Sequence, residues 1–202
     1  MIMNITSAKK GTFFLLFTYV FTLLLYLFSC PLFILVTTLI CALLHEGAHI
    51  LSARLLGRRV GHTVLCPAGI LPDVSCGGEV SGILIYLAGP LSNICICIAA
   101  LIFLHRAYDR HLFTVFCVNA ALAVYNLTPI PFSDGSGIMK ITLRFFLGER
   151  VGGVLCGCLE LVFSFLFFVF FSYRFFALGA GFFSFCCSFV CVIHSLSHLG
   201  RE

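Results

Sequence analysis

The stretch Pro31-Leu32-Phe33-Ile34-Leu35-Val36-Thr37-Thr38-Leu39-Ile40-Cys41-Ala42-Leu43-Leu44-His45-Glu46-Gly47-Ala48-His49-Ile50-Leu51-Ser52-Ala53-Arg54-Leu55-Leu56 decides how this chain is read. It is apolar almost throughout, yet two histidines and a glutamate sit inside it. Ionisable groups at bilayer depth cost roughly 2.5 kcal/mol or more each, so a chemical role must retain them. In a helix, residues four apart share a face: His45 and His49 present their imidazoles to one point, and Glu46 flanks it. Two nitrogen ligands beside a carboxylate able to take a proton from water is the arrangement of zinc hydrolases.

Composition sets the solvent for the whole chain. Of 202 residues, 61% are hydrophobic, 24 are phenylalanine and only 10% are charged, which is outside the range of a water-soluble globular domain. The apolar runs are continuous rather than alternating, so the expected fold is an all-α polytopic membrane protein rather than a barrel. Charge interruptions divide it into about six transmembrane helices: Gly11 to Ser29, Pro31 to Leu56, Ser81 to Leu104, His111 to Leu127, Val151 to Ser172 and Phe175 to Ile193. Residues 1–202 then form a single domain with no room for a sizeable soluble module.

Between the second and third spans, Gly61, Pro67, Gly69, Pro72, Gly77 and Gly78 favour turns and short extended pieces over a helix. The segment is too apolar for an ordinary solvated loop and reads as a short re-entrant or interfacial hairpin. With the N-terminus inside, nine cations (Lys9, Lys10, Arg54, Arg58, Arg59, Lys140, Arg144, Arg150, Arg201) are cytoplasmic and three (Arg106, Arg110, Arg174) are external. This bias places both termini in the cytoplasm. The net charge of +4 is explained by acidic headgroups and implies no nucleic-acid partner. The first span is long and a second follows at once, so it reads as a retained anchor rather than a cleaved signal. The 12 cysteines include no CxxC pair and read as reduced packing residues.

A zinc site needs a third protein ligand. Asp109 is on the wrong side, Asp73 and Glu79 belong to the hairpin, and Glu149 and Glu160 begin the fifth span. Asp134 stands in Asn126-Leu127-Thr128-Pro129-Ile130-Pro131-Phe132-Ser133-Asp134-Gly135, where two prolines end the fourth helix and a glycine permits a tight turn. Irregular backbone at membrane depth is tolerated only when buried in protein or lining a wet cavity, which suits a metal site. At 1.5 Å per residue, His45 lies about 21 Å and His49 about 27 Å along the second span from its outer end, in the inner leaflet. The fourth span also runs inward, so its broken end arrives at comparable depth.

These motifs together resemble the site-2 protease family of intramembrane zinc metalloproteases. The resemblance rests on HExxH in the second span, on Asn-x-x-Pro-x-x-x-x-Asp-Gly after the fourth, and on Ala88-Gly89-Pro90-Leu91-Ser92-Asn93 in the third. Pro67-Ala68-Gly69-Ile70 sits where relatives carry a Gly-rich hairpin. It covers essentially the whole chain and is nearest to the compact branch typified by stage IV sporulation protein FB. Two motif endings depart from the family's: His45-Glu46-Gly47-Ala48-His49 stands for HELGH, and Ser133-Asp134-Gly135-Ser136 for Leu-Asp-Gly-Gly. No CBS or PDZ module is expected.

The resemblance implies one Zn2+ held by His45, His49 and Asp134, with Glu46 as general base and Asn126 as a hydrogen-bond donor to the developing oxyanion. It implies hydrolysis of a peptide bond in or next to a membrane segment of a membrane-associated substrate, such as a pro-protein or regulator. The partners it implies are that membrane-embedded or membrane-tethered substrate and the lipid bilayer, with a regulatory membrane protein as a further candidate. The implied location is a bacterial cell membrane, with the active site toward the cytoplasm. A transporter or metal carrier using the same His/Asp cluster would more often show internal repeats, and none is present. A non-proteolytic scaffold would have lost a catalytic residue, whereas Glu46, both histidines and Asp134 remain. Glu160 in the fifth span reads as a structural carboxyl or a residue of a substrate gate or water path. His194 and His198 read as solvated at the cytoplasmic interface, and Asn93 as a helix-packing or site-steadying amide.

Overall fold

The computed structural model describes residues 31–58, 60–66, 69–74, 78–179 and 181–199. The expected first span, Gly11 to Ser29, lies outside them. Helix α1 covers Leu32–Leu55, directly after Pro31. It stops at Gly57, whose φ of 67° lets the chain turn back so that the Arg58 N–H bonds Ala53 O at 2.9 Å. Strands β1, Val60–Cys66, and β2, Gly69–Val74, pair antiparallel from Val60↔Val74 to Cys66↔Gly69, with an irregularity between Val60 and Thr63. This two-stranded hairpin stands where turns and extended pieces were expected, and it packs against α1.

Helix α2, Glu79–Arg106, contains Pro90 and touches α1, α3 and α4, so it is the central member of the bundle. Helix α3, Arg110–Leu127, begins at an Asp109 cap that accepts the Leu112 N–H at 2.7 Å. Two further helices follow the broken segment: α4, Asp134–Leu147, and α5, Glu149–Leu178, and the described chain closes with α6, Phe182–Leu199.

One element was not foreseen and one expectation is corrected here. The stretch after Asp134 is a helix of its own, because Ser133 caps it and its apolar residues alternate with Lys140 and Arg144 at amphipathic spacing. The break between the last two spans falls at Gly179 and Gly181, with φ of 62° and 83°, not at Ser172 to Arg174. One arginine does not end a helix, since its aliphatic stem lies along apolar surface while the charged head reaches out; a left-handed glycine does.

Among the described helices, α1, α2 and α5 are long and apolar enough to cross a membrane. The packing has the polarity of a membrane protein. Buried positions are mostly small or polar, including Ala53, Ala100, Ala123, Asn93, Asn119, Ser164 and Ser195, while Leu43, Phe103, Leu166 and Phe176 are among the many large apolar side chains that face outward. Without water to drive helices together, close approach and internal hydrogen bonds must do so. Asn119 Nδ2 donates to Val115 O at 2.8 Å and lies 3.1 Å from Cys41 Sγ, joining α3 to α1, and Ser164 and Ser195 bond at 3.1 Å between α5 and α6. The cysteines among the described residues are free thiols.

Candidate metal centre

His45 and His49 leave one face of α1 and are buried, as the four-residue spacing requires. Asp134 is delivered to them by the break after α3. Leu127 ends that helix, and the turn continues through the fully buried Ile130 and Pro131. Phe132 adopts a φ of 70°, a left-handed conformation rare for a bulky residue, which reverses the chain into α4. Ser133 Oγ accepts the Ser136 N–H at 3.2 Å and lies within donating distance of Thr128 O at 2.6 Å and Ile130 O at 2.8 Å. Gly135 passes so close to α3 that a β-carbon there would stand 2.3 Å from Leu127 O.

His45 Nε2 lies 3.1 Å from Asp134 Oδ2, and His49 Nε2 lies 3.3 Å from Asp134 Oδ1. The two Nε2 atoms are 3.1 Å apart, and the three potential ligand atoms lie within 4.8 Å of one another. Helix α2 forms the opposite wall. Ile85 O is 2.7 Å from His49 Nδ1, the Asn93 amide is 3.0 Å from His45 Nδ1, and Gly89 between them leaves the rings their space. A β-carbon on Gly89 would fall 2.3 Å from His49 Nε2 and 2.6 Å from His45 Nε2.

This donor set fits a metal ion. Both Nδ1 atoms are engaged by α2, which turns both Nε2 atoms toward a carboxylate whose buried Oδ2 has no hydrogen-bond partner. Lone pairs crowded together away from water repel unless a proton or a cation lies between them. Two imidazoles and a carboxylate suit a borderline divalent ion, and the set could hold one.

The comparisons with known proteins agree with this architecture. No protein-family model matches the chain, and no curated protein matches it in sequence. Among solved structures, the fold is similar to that of a site-2 protease from Methanocaldococcus jannaschii, with a TM-score of 0.67 and 18% identity, over 91% of this chain and 88% of that one. The chain therefore shares the fold of that structure, and three of its described helices are long and apolar enough to cross a membrane.

Not every expected site residue is gathered equally. Glu46 is half-buried on α1 beside His45. The Asn126 Nδ2 donates to Leu122 O at 3.0 Å, one turn back in its own helix, so here it is engaged by backbone. Glu160 accepts a hydrogen bond from Ser136 Oγ and lies 3.7 Å from Cys156 Sγ, tying α5 to the first turn of α4. His194 is not simply solvated: it is half-buried, with its ring 4.4 Å from that of Phe132. Glu160, Ser136, Lys140, Phe132 and His194 line a cavity of about 140 Å³ between α4, α5 and α6. His198's side chain lies outside the described residues.

Sequence reasoning missed two residues that adjoin the histidines, through the Ile85 carbonyl and the bare backbone at Gly89. A signal existed, since positions 85, 89 and 93 form a single helical stripe.

Proposed function

We propose that this chain is a zinc-dependent intramembrane endopeptidase of the site-2 protease type. The observation that carries the reading is the convergence of both histidines of a membrane-helix HExxH with Asp134 from a separate element. His45, His49 and Asp134 hold the ion. A zinc ion there supplies Lewis acidity to the scissile carbonyl and to an attacking water.

Glu46 accepts the proton of that water and returns it to the leaving amine, because it is the carboxylate beside the ligand pair. Asn126 exchanges its bond with Leu122 O for one to the developing oxyanion as substrate binds. The substrate is a membrane-embedded or membrane-tethered protein, unwound to expose its scissile bond. The hairpin, re-entrant or interfacial, pairs with that extended segment through main-chain bonds.

The membrane arrangement has six spans, five of them α1, α2, α3, α5 and α6, while α4 lies at the cytoplasmic interface. Both termini and the site face the cytoplasm, in accord with the arginine and lysine bias. The protein then sits in a bacterial cell membrane, nearest the stage IV sporulation protein FB-like branch, and its substrate is a pro-protein or membrane-bound regulator.

The test compares membrane proteomes of cells carrying the unaltered chain and Glu46→Gln. Precursors that accumulate with Glu46→Gln, and only there, identify substrates. Unchanged processing sinks the protease reading, and zinc-dependent ion flux without cleavage favours a metal carrier.

A further inference from the structure

Asn93 is fully buried in the middle of α2. An amide there carries a desolvation cost that ordinary packing does not require. Its position is specific. It lies one turn beyond Gly89 and two turns beyond Ile85, on the stripe that faces the two histidines.

The two histidines are held differently. His49 Nδ1 faces a backbone carbonyl, Ile85 O at 2.7 Å, which can only accept; Nδ1 must therefore carry the proton, and the Nε2 lone pair faces Asp134. His45 Nδ1 faces Asn93 Nδ2 at 3.0 Å, and an amide nitrogen donates. His45 Nε2 lies between His49 Nε2 and Asp134 Oδ2, each 3.1 Å away.

The other end of the amide, Asn93 Oδ1, is buried with no hydrogen-bond partner. A half-turn about the last side-chain bond therefore presents an acceptor to His45 without breaking another bond of that oxygen. The same residue can serve the ring in either tautomer, which neither a carbonyl nor an aliphatic side chain can do.

We propose that Asn93 is a positioning residue for metal loading: its fully buried side-chain amide, 3.0 Å from His45 Nδ1, holds that ring so that Nε2 faces the ion. This inference rests on the metal reading of the site. Outer partners of this kind orient a ligating imidazole and raise its basicity, and their loss typically weakens metal binding roughly 10–100-fold.

The test uses the full chain purified in detergent. Zinc affinity is measured by competition with a chromophoric chelator, and thermal unfolding is measured on the metal-free protein. Asn93→Leu, of similar size and unable to bond the ring, is expected to weaken zinc binding roughly 10–100-fold without lowering the metal-free unfolding temperature. Asn93→Ala serves the same comparison where leucine prevents folding. Asn93→Asp offers only acceptors and is expected to keep zinc affinity near that of the unaltered chain, along with the visible spectrum of the Co2+-loaded protein.

Wild-type affinity in Asn93→Leu overturns the inference. So does a parallel loss of zinc affinity and metal-free stability in both Asn93→Leu and Asn93→Asp, which marks a packing role. If the unaltered chain binds no zinc, the metal reading itself fails and takes the inference with it. Zinc binding that survives in Asn93→Leu leaves that reading standing.

Discussion

Gly89 lies against His49 so closely that a β-carbon on it would reach to 2.3 Å from the imidazole Nε2. The atom crowded is the one that faces Asp134, and the neighbouring His45 Nε2 would be only 2.6 Å away. Glycine is required here by the close approach of helix backbone to two rings, since φ at this position is ordinary helix.

Gly89→Ala should therefore displace both imidazoles. We expect zinc binding to fall by more than tenfold, because an overpacked site shifts side chains at a cost of about 1–3 kcal/mol. Equilibrium dialysis with zinc analysis checks this; stoichiometric binding by Gly89→Ala at micromolar zinc would contradict the packing described.

Gly135→Ala acts on the third ligand. The new methyl group would meet Leu127 O at 2.3 Å, and a backbone carbonyl at a helix end cannot yield as a flexible side chain does. The first turn of α4 must shift from α3 and carry Asp134 with it. The expected result is lower thermal stability together with weakened zinc binding, whereas Gly47→Ala, which meets nothing within 4 Å, should leave both intact.

Ser133→Ala removes the cap of α4 and the hydroxyl that ties the turn to Thr128 O at 2.6 Å. Losing an N-cap costs about 1 kcal/mol, and a buried carbonyl left without its donor adds a further amount of similar size. Because the cap holds the residue before Asp134, cleavage should drop at limiting zinc and recover with excess zinc. Titrating activity against zinc distinguishes this from simple misfolding, in which added zinc restores nothing.

Glu160 and Ser136 join α5 to α4 through one partly buried hydrogen bond. Glu160→Leu should destabilise the protein by about 1 kcal/mol, since the half-buried Ser136 Oγ loses its acceptor. Glu160→Gln keeps an acceptor and should cost less. In the double variant with Ser136→Ala the losses should not add, because both changes remove the same bond; unfolding in detergent measures the cycle.

The fold was legible where it depends on local composition. Continuous apolar runs predicted helices at α1, α2 and α3, and their bounds in the structure lie within a few residues of those runs. The reading faltered where charge was taken as a break. Arg174 lies inside α5, because an arginine at a helix surface can extend its head away, while Gly179 makes the turn. Helix α4 was not foreseen because Pro129 and Pro131 just before it and Gly135 and Gly137 within it signal turns, though Lys140 and Arg144 have the spacing of an amphipathic helix.

For the candidate site, sequence alone determined that His45 and His49 share a helical face and that Glu46 adjoins them, because helical periodicity is a local property. The proline-broken Asn126 to Gly135 segment also marked Asp134 as unusual. Only the tertiary structure decided that Asp134 meets both imidazoles, that Asn93 and Ile85 O engage their outer nitrogens, and that Asn126 bonds its own helix. Those contacts depend on how α1, α2 and α4 pack, and small residues such as Gly89 and Gly135 set that distance without announcing which neighbour they admit. A residue type records what a position can do; the partner it meets is decided by packing between segments remote in the chain.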